Sequence, residues 1–455
     1  MSTKYRHAIV LGLGASGESA ARLLRSEGAR VAVVDAADHD VLRERAERLC
    51  GLGAEVILGA TELSKGDFDI CVLSPGMAAD APWVNEVRKR GVPVVPELEL
   101  GWSRFRGKVV AVTGTNGKST AVKWIAESLN AAGFEAVPAG NYGLPATQAV
   151  MDRPGAPWLV LEVSSFQSET MQAFRPDVGL LLNMLPNHLD RHRDMEAYVS
   201  AKARLFSRTE EGGVCVVHAP WLKQMRERSG GNGRWVSFGL AEGDYRFEGG
   251  AVRQGGAVVA DIRGTYFDNE VLGCNAAGIL AVLDACGIGR EPAECAARAF
   301  KPLPHRMQEV AVLRGVTFIN DSKATTLTAM AAALRMCRGP VRLIAGGLLK
   351  EDDLSFIKEI LAQRAVGIYL MGRASEKMAS AWSGVVPCFQ SGTLNAALAS
   401  AWRDARAGET ILLSPGCASF DQFRSFEDRG QQFRELVSHL SGEESSCNKR
   451  HHGVC

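Results

Sequence analysis

The stretch KVVAVTGTNGKST, Lys108 to Thr120, constrains this chain more than any other. An apolar run of strand character meets a tight turn ending in Gly117-Lys118-Ser119. The segment STAVKWIAESLNAAG then follows with helical periodicity. A strand, a glycine-bearing turn and a helix in that order form a phosphate loop. Backbone N–H groups and the helix dipole cradle phosphates, the Lys reaches the terminal phosphates, and the next hydroxyl helps to hold Mg²⁺. The leading glycine of the general pattern falls at Val112, so that pattern is broken at one end. The context still predicts that Gly114, Thr115, Asn116, Gly117, Lys118, Ser119 and Thr120 bind ATP or GTP.

A phosphate loop needs a parallel sheet behind it, and the chain has the pattern for several. Short apolar runs alternate with amphipathic stretches nearly throughout, which predicts an α/β protein with helices on both sheet faces. Strand candidates are HAIVLGLG, RVAVVDA, DICVLSPG and VPVVPELEL, then WLVLEVSS, VGLLLNM and GVCVVHA, then VRLIAGG, GIYLMG and TILLSPG. A length of 455 residues suits two to four domains of about 100–200 residues. The punctuation predicts three, over residues 1–100, 101–302 and 303–455. The polar tail SGEESSCNKRHHGVC reads as a frayed end, its paired His included.

Composition narrows the setting. The formal net charge of +1 gives no global attraction to nucleic acid or to an acidic membrane. No run of 18 apolar residues suggests a membrane span. The start MSTKYRHAIVLGLG enters a strand directly, without a signal-peptide pattern, so a cytoplasmic protein is expected. The 11 Cys are odd in number and include no CxxC pair, as expected of reduced thiols.

The first block carries GLGASG, with Gly12, Gly14 and Gly17 in dinucleotide-fold spacing and Asp35 closing the next strand. Gly14, Ala15 and Ser16 open a helix, where a diphosphate is expected to sit. Gly76, in SPGM, adds a second glycine turn at a strand end. Three readings stay open on these residues alone: a single nucleotide diphosphate, purely structural glycines, or NAD. In the second block, Glu162 and His188 follow apolar runs, where ligands gather in open α/β sheets. They are either metal ligands beside the phosphates or a salt-bridged Glu and a loop His.

Taken together, GTNGKST, LEVSSFQSE, NHLDRH, PHRM, NDSKATT and LLSPGCASFDQFRSFEDRG resemble the Mur ligases and folylpolyglutamate synthases, over nearly the whole chain and in order. The resemblance implies a Rossmann-like N-terminal domain, a central P-loop ATPase-type domain and a Rossmann-like C-terminal domain. It implies a monomeric ATP-dependent amide ligase of peptidoglycan precursor synthesis, joining UDP-N-acetylmuramoyl-L-alanine to D-glutamate through an acyl phosphate. Two Mg²⁺ ions are implied, with Ser119, Glu162, His188 and an N-carboxylated Lys202 as metal ligands. Lys118, Glu162, His188 and Lys202 would be catalytic. Asn275, Arg306, Asp321 and Lys323 would meet ATP. Gly14, Ala15, Ser16, Asp35, Gly76, Asn141, Gln167 and His188 would hold the UDP substrate. Thr325, Lys350, Ser419 and Phe426 would hold glutamate. With these ligands on different domains, catalysis is expected to need domain closure. By themselves, Lys202 reads as a helix-surface lysine, Asn141 as a turn residue, Gln167 as a polar helix residue and the Asp-Ser-Lys run as a helix cap.

Four departures from the family pattern stand out. Ala36 and Ala37 follow Asp35 where uridine contacts are expected, and Asn187 precedes His188 in place of an acid. Val271-Leu272 stand upstream of Asn275 in place of His-Asn, and GGLLKEDD replaces a more glycine- and acid-rich turn. They keep three other readings in view: a related ligase taking L-glutamate or another amino acid, an oxidoreductase built on GLGASG, and a non-catalytic nucleotide sensor.

Overall fold

The computed structural model describes residues 5–64, 66–187 and 189–451. Three sheets carry the chain. The first comprises β1 His7–Leu11, β2 Arg30–Val34, β3 Glu55–Ile57, β4 Ile70–Leu73 and β5 Val94–Pro96, parallel in the order β3-β2-β1-β4-β5. The second comprises β6 Lys108–Thr113, β7 Ala136–Gly140, β8 Trp158–Glu162, β9 Val178–Leu181, β10 Val214–His218 and β11 Arg234–Gly239, followed by β12 Tyr245–Glu248, β13 Ala251–Gln254 and β14 Ala257–Asp261. Its order is β14-β13-β12-β11-β10-β9-β6-β8-β7, parallel except for the antiparallel ladders β12–β13 and β13–β14.

The third sheet comprises β15 Gln308–Leu313, β16 Val316–Asn320, β17 Val341–Gly346, β18 Ala365–Met371, β19 Cys388–Gly392 and β20 Thr410–Leu413. Its order is β15-β16-β20-β17-β18-β19, with only β15 antiparallel to its neighbour. Parallel strands covered on both faces are apolar along their length, which is why VVAVT in β6 and TILL in β20 are wholly buried. The chain divides into two compact units. Met1–Asp268 with Leu272–Phe300 holds the first two sheets, and Asn269–Val271 with Lys301–Cys455 holds the third.

One strand expectation fails. VPVVPELEL is a strand only over Val94–Pro96, and Glu97–Trp102 is helical. The alternation E-L-E-L has a strand's period, yet both glutamates are buried along with both leucines. Their carboxylates serve other segments. Glu97 Oε1 accepts from the Thr147 N–H at 2.7 Å and its hydroxyl at 2.6 Å, and Thr147 Oγ1 lies 2.7 Å from Ser19 Oγ. Glu99 accepts from the Gln172 and Ala173 N–H groups at 2.8 and 2.7 Å. Glu97 thereby joins the helix Ala15–Ser26 of the first sheet to the helix Ala146–Asp152 of the second. Burial outweighs these hydrogen bonds and pushes the Glu97 carboxyl up to about 7; its Oε2 is buried without a partner.

The tail also differs from expectation. Its backbone continues the helix Phe426–His451, a stretch with no proline and only Gly430 and Gly442 to oppose helix formation.

Candidate active site

The phosphate loop leaves β6 and enters the helix Lys118–Ala131 through Gly117, at φ +84. A Cβ there would be strained and would lie 2.7 Å from Asn275 Nδ2, so glycine lets the loop pass under the helix Glu270–Ala285. The helix start has no side-chain cap, so its dipole faces the loop. Lys118 Nζ donates to the Gly114 and Thr115 carbonyls at 3.0 and 2.9 Å, folded over its own loop.

Sequence reasoning missed Asn183, which pins this loop. Its Oδ1 accepts from the Asn116 N–H at 2.9 Å, its Nδ2 donates to the Asn116 carbonyl at 3.0 Å, and its carbonyl accepts from the Thr115 N–H. The one available signal was a polar residue just after the β9 run LLL.

Glu162, the last residue of β8, is 3% exposed and divides its oxygens. Oε2 accepts from Ser119 Oγ at 2.6 Å and Oε1 from Asn141 Nδ2 at 3.0 Å. Among the described residues these two partners are a hydroxyl and an amide, not a basic side chain.

Lys202 is not on the surface. At 1% exposure on the helix Met195–Ala203, its Nζ donates to the Gly114 carbonyl at 3.0 Å and approaches Thr113 Oγ1 at 3.3 Å. Burial, helped by the Lys118 charge and opposed by Glu162, drives its ammonium well below the usual lysine range. Such a shift favours the uncharged amine more than in an ordinary lysine. Tyr198, one turn earlier, meets Thr115 Oγ1 at 3.1 Å and carries Lys202 Nζ over its ring. His188 lies outside the described residues.

Gln167 does act as a polar helix residue. It forms a capping box with Ser164, its Oε1 accepting from the Ser164 N–H and its own N–H donating to Ser164 Oγ.

In the first sheet, Gly14, Ala15 and Ser16 open the helix Ala15–Ser26, which has no side-chain cap. Asp35 accepts from the Leu13 N–H at 2.7 Å and the Ala37 N–H at 2.8 Å, and so braces the glycine turn. The Ser74–Met77 turn with Gly76 packs against it, since a Cβ on Gly14 would lie 3.3 Å from Ser74 Oγ.

The second unit gathers the remaining residues. Asp321 is buried, not a surface cap. It accepts from the Met307 N–H at 3.1 Å and Ser414 Oγ at 2.9 Å, and burial pushes it up to about 7. Arg306 sits between His305 and Met307, both at positive φ. Lys323 Nζ lies 3.6 Å from the centre of the Phe426 ring. Thr325 precedes the Thr326 cap of the helix Leu327–Met336, and Ser419 is buried. A bridge between Leu348 and Ala418 ties the segment leading to Lys350 to the one containing Ser419. Buried Arg429 holds this unit's loops together through Ser322 Oγ, the Ser322 carbonyl and the Cys417 carbonyl.

Ser119 and Glu162 supply adjacent oxygens of the hard type that Mg²⁺ takes, beside a phosphate loop. Among the described residues no group of three His, Cys, Asp or Glu is placed to hold a metal ion.

Three family descriptions match this chain in order: a Mur ligase MurD-like N-terminal domain at residues 6–96, a Mur ligase middle domain at 112–267 and a Mur ligase glutamate ligase domain at 305–417. Curated relatives match end to end. The UDP-N-acetylmuramoylalanine–D-glutamate ligase of Acidobacterium capsulatum is 35% identical, covering 96% of this chain and 97% of its own. That of Nitratidesulfovibrio vulgaris strain DP4 is 37% identical, covering 95% and 96%.

The chain belongs to the Mur ligase family.

Solved Mur ligases share its fold at low identity. The MurF ligase of Thermotoga maritima, in complex with ADP, superposes at a TM-score of 0.62 with 17% identity over 96% of this chain and 98% of that one. The UDP-N-acetylmuramate–alanine ligase MurC of the same organism gives 0.59 with 18%, covering 96% and 100%. Of the candidate residues, Glu162 ends β8 and the phosphate loop follows β6, two strands of one parallel ladder. No described helix is long and apolar enough to cross a membrane.

Proposed function

We propose that this Mur ligase joins D-glutamate to UDP-N-acetylmuramoyl-L-alanine at the expense of ATP, as a cytoplasmic monomer supplying peptidoglycan precursors. Glu162 is the observation that carries the reading. Its carboxylate touches the phosphate loop through Ser119 and the turn after β7 through Asn141, and in this reading it would face both the phosphate and the acceptor. End-to-end likeness to D-glutamate ligases supports the substrates.

The chemistry follows from the acceptor. A carboxylate is a poor electrophile because oxide is not a leaving group. Its oxygen attacks the γ-phosphorus of ATP, ADP departs, and the acyl phosphate now carries phosphate as leaving group. The glutamate amine attacks that carbonyl, loses a proton, and the tetrahedral intermediate expels phosphate to leave the amide. Phosphoryl transfer of this kind depends on positioning and charge neutralisation.

Lys118 swings from its loop carbonyls onto the β and γ oxygens. Asn275 closes over Gly117 against the nucleotide. Asn141 orients the acceptor carboxylate, together with Gln167. Gly14, Ala15, Ser16, Asp35 and Gly76 hold the uridine diphosphate. Arg306, Asp321 and Lys323 are assigned to ATP, and Thr325, Lys350, Ser419 and Phe426 to the two carboxylates of glutamate. Magnesium, when bound, neutralises phosphate charge; Ser119 and Glu162 would hold one ion, His188 and Lys202 a second. Lys202 qualifies because its burial favours the uncharged amine, which would add to CO₂ with loss of a proton and so become a carbamate oxygen donor.

The departure at GGLLKEDD gives a second reading, with L-glutamate as the amino acid. Phosphate release measured with UDP-N-acetylmuramoyl-L-alanine, ATP, Mg²⁺ and each glutamate enantiomer separates the two. Turnover is expected with D-glutamate alone; turnover only with L-glutamate overturns the choice of enantiomer.

A further inference from the structure

Between the phosphate loop and the first sheet lies a set of contacts that the reaction as described does not use. The short helix Leu189–His192 carries them, directly after position 188. Arg191 Nη2 donates to the Met77 carbonyl at 3.0 Å, in the Gly76 turn of the first sheet. Its guanidinium lies 3.7 Å from the centre of the Phe166 ring, and Glu169 Oε2 lies 3.7 Å from Nη2. The other oxygen of Glu169 meets His192 Nδ1 at 3.0 Å, and His192 Nε2 lies 2.8 Å from Ser165 Oγ.

His192 is buried and stacks on Phe166, with ring centres 5.3 Å apart. On its other side it packs against Tyr198 at 5.1 Å. Tyr198 in turn meets Thr115 of the phosphate loop. An unbroken line of contacts therefore runs from Met77 through Arg191, Glu169, His192 and Tyr198 to Thr115. Its parts are planar or charged side chains, each in contact with the next. Among the described residues of this line, Arg191 makes the hydrogen bond to the first sheet's turn, and Glu169 lies within electrostatic reach of Asp80 and Arg88.

We propose that Arg191 is a positioning residue which couples occupancy of the first-sheet nucleotide turn to the conformation of the phosphate loop. The inference rests on the proposed reaction, in which that turn holds the uridine diphosphate. An acceptor that closes on Gly76 and Met77 fixes the Arg191 guanidinium. Glu169 and His192 then hold Tyr198, and Thr115 with it, in the geometry that receives the triphosphate. Linkage makes the effect reciprocal: bound ATP tightens acceptor binding by the same factor.

Calorimetric binding of a non-hydrolysable ATP analogue, with and without UDP-N-acetylmuramoyl-L-alanine and with no glutamate present, tests this. The wild-type affinity is expected to rise at least about fivefold with the acceptor, the lower end of typical coupling. In Arg191→Ala that ratio falls to near one while the affinity for the analogue alone changes little. Arg191→Lys, which keeps the charge and the reach but not the planar fork, recovers part of the ratio. Glu169→Gln, which keeps Arg191 in place, lowers the ratio too and serves if the alanine variant does not fold. A wild-type ratio of one, or an undiminished ratio in both Arg191→Ala and Glu169→Gln, overturns the coupling and leaves the proposed reaction standing. Failure of the wild type to bind the acceptor at all overturns both.

Discussion

Lys202 shows most clearly how the fold changes what a residue is. In sequence it sits in YVSAKARLF and reads as one more solvated lysine; in the structure it is buried against the Gly114 carbonyl with its charge disfavoured. Replacing it by alanine removes both an amine and the carbamate proposed for it. We expect Lys202→Ala to lower kcat by at least about 10²-fold, the scale of losing one charge-positioning group in an active site. Added short carboxylates should restore part of the rate, because they supply the missing oxygens. Undiminished phosphate release from the variant would count against a carbamate. The contacts of the phosphate loop, by contrast, were half legible. The serine of the phosphate loop was foreseeable from its motif, but Asn183 and Tyr198 act through distances that only the folded chain fixes.

Elements were legible where burial is two-sided and illegible where carboxylates act as caps. Runs such as HAIVL and TILL announced strands because nothing but a covered strand tolerates them. The helix Glu97–Trp102 misled because its period matched a strand, while its glutamates were serving amides distant in sequence. Glu97 carries a pH consequence. The folded chain holds the Glu97 proton up to about 7, against an ordinary value of 4.5. Between those values the native state binds more protons than the unfolded state, so stability falls as pH rises through that window and levels off above it. The whole effect amounts to roughly 3 kcal/mol. Asp321, also raised to about 7, adds a slope of the same sign in the other unit. Denaturant titrations at pH 5 and pH 8 should therefore show a smaller stability difference for Glu97→Gln than for wild type, with the Asp321 share remaining. An identical difference in both proteins would mean that Glu97 is not the group responsible.

Across the whole molecule, two separately cored units imply more than one unfolding event. A non-hydrolysable ATP analogue at about 100 times its Kd should stabilise the phosphate-loop unit by about 2.7 kcal/mol. Scanning calorimetry would register this as one transition moving upward, with Lys118→Ala abolishing the shift. A single symmetrical transition in the presence and absence of the analogue would contradict it. The three-block rhythm of the chain suggests interchangeable parts, but the joint at Glu97 resists that. Its carboxyl is locked to Thr147 and, through that hydroxyl, to Ser19. A chimera that imports a foreign nucleotide-binding segment ending near residue 96 would strand this acid against unfamiliar neighbours. Recombination within such enzymes is then expected to succeed only when the crossover transplants both faces of the seam together.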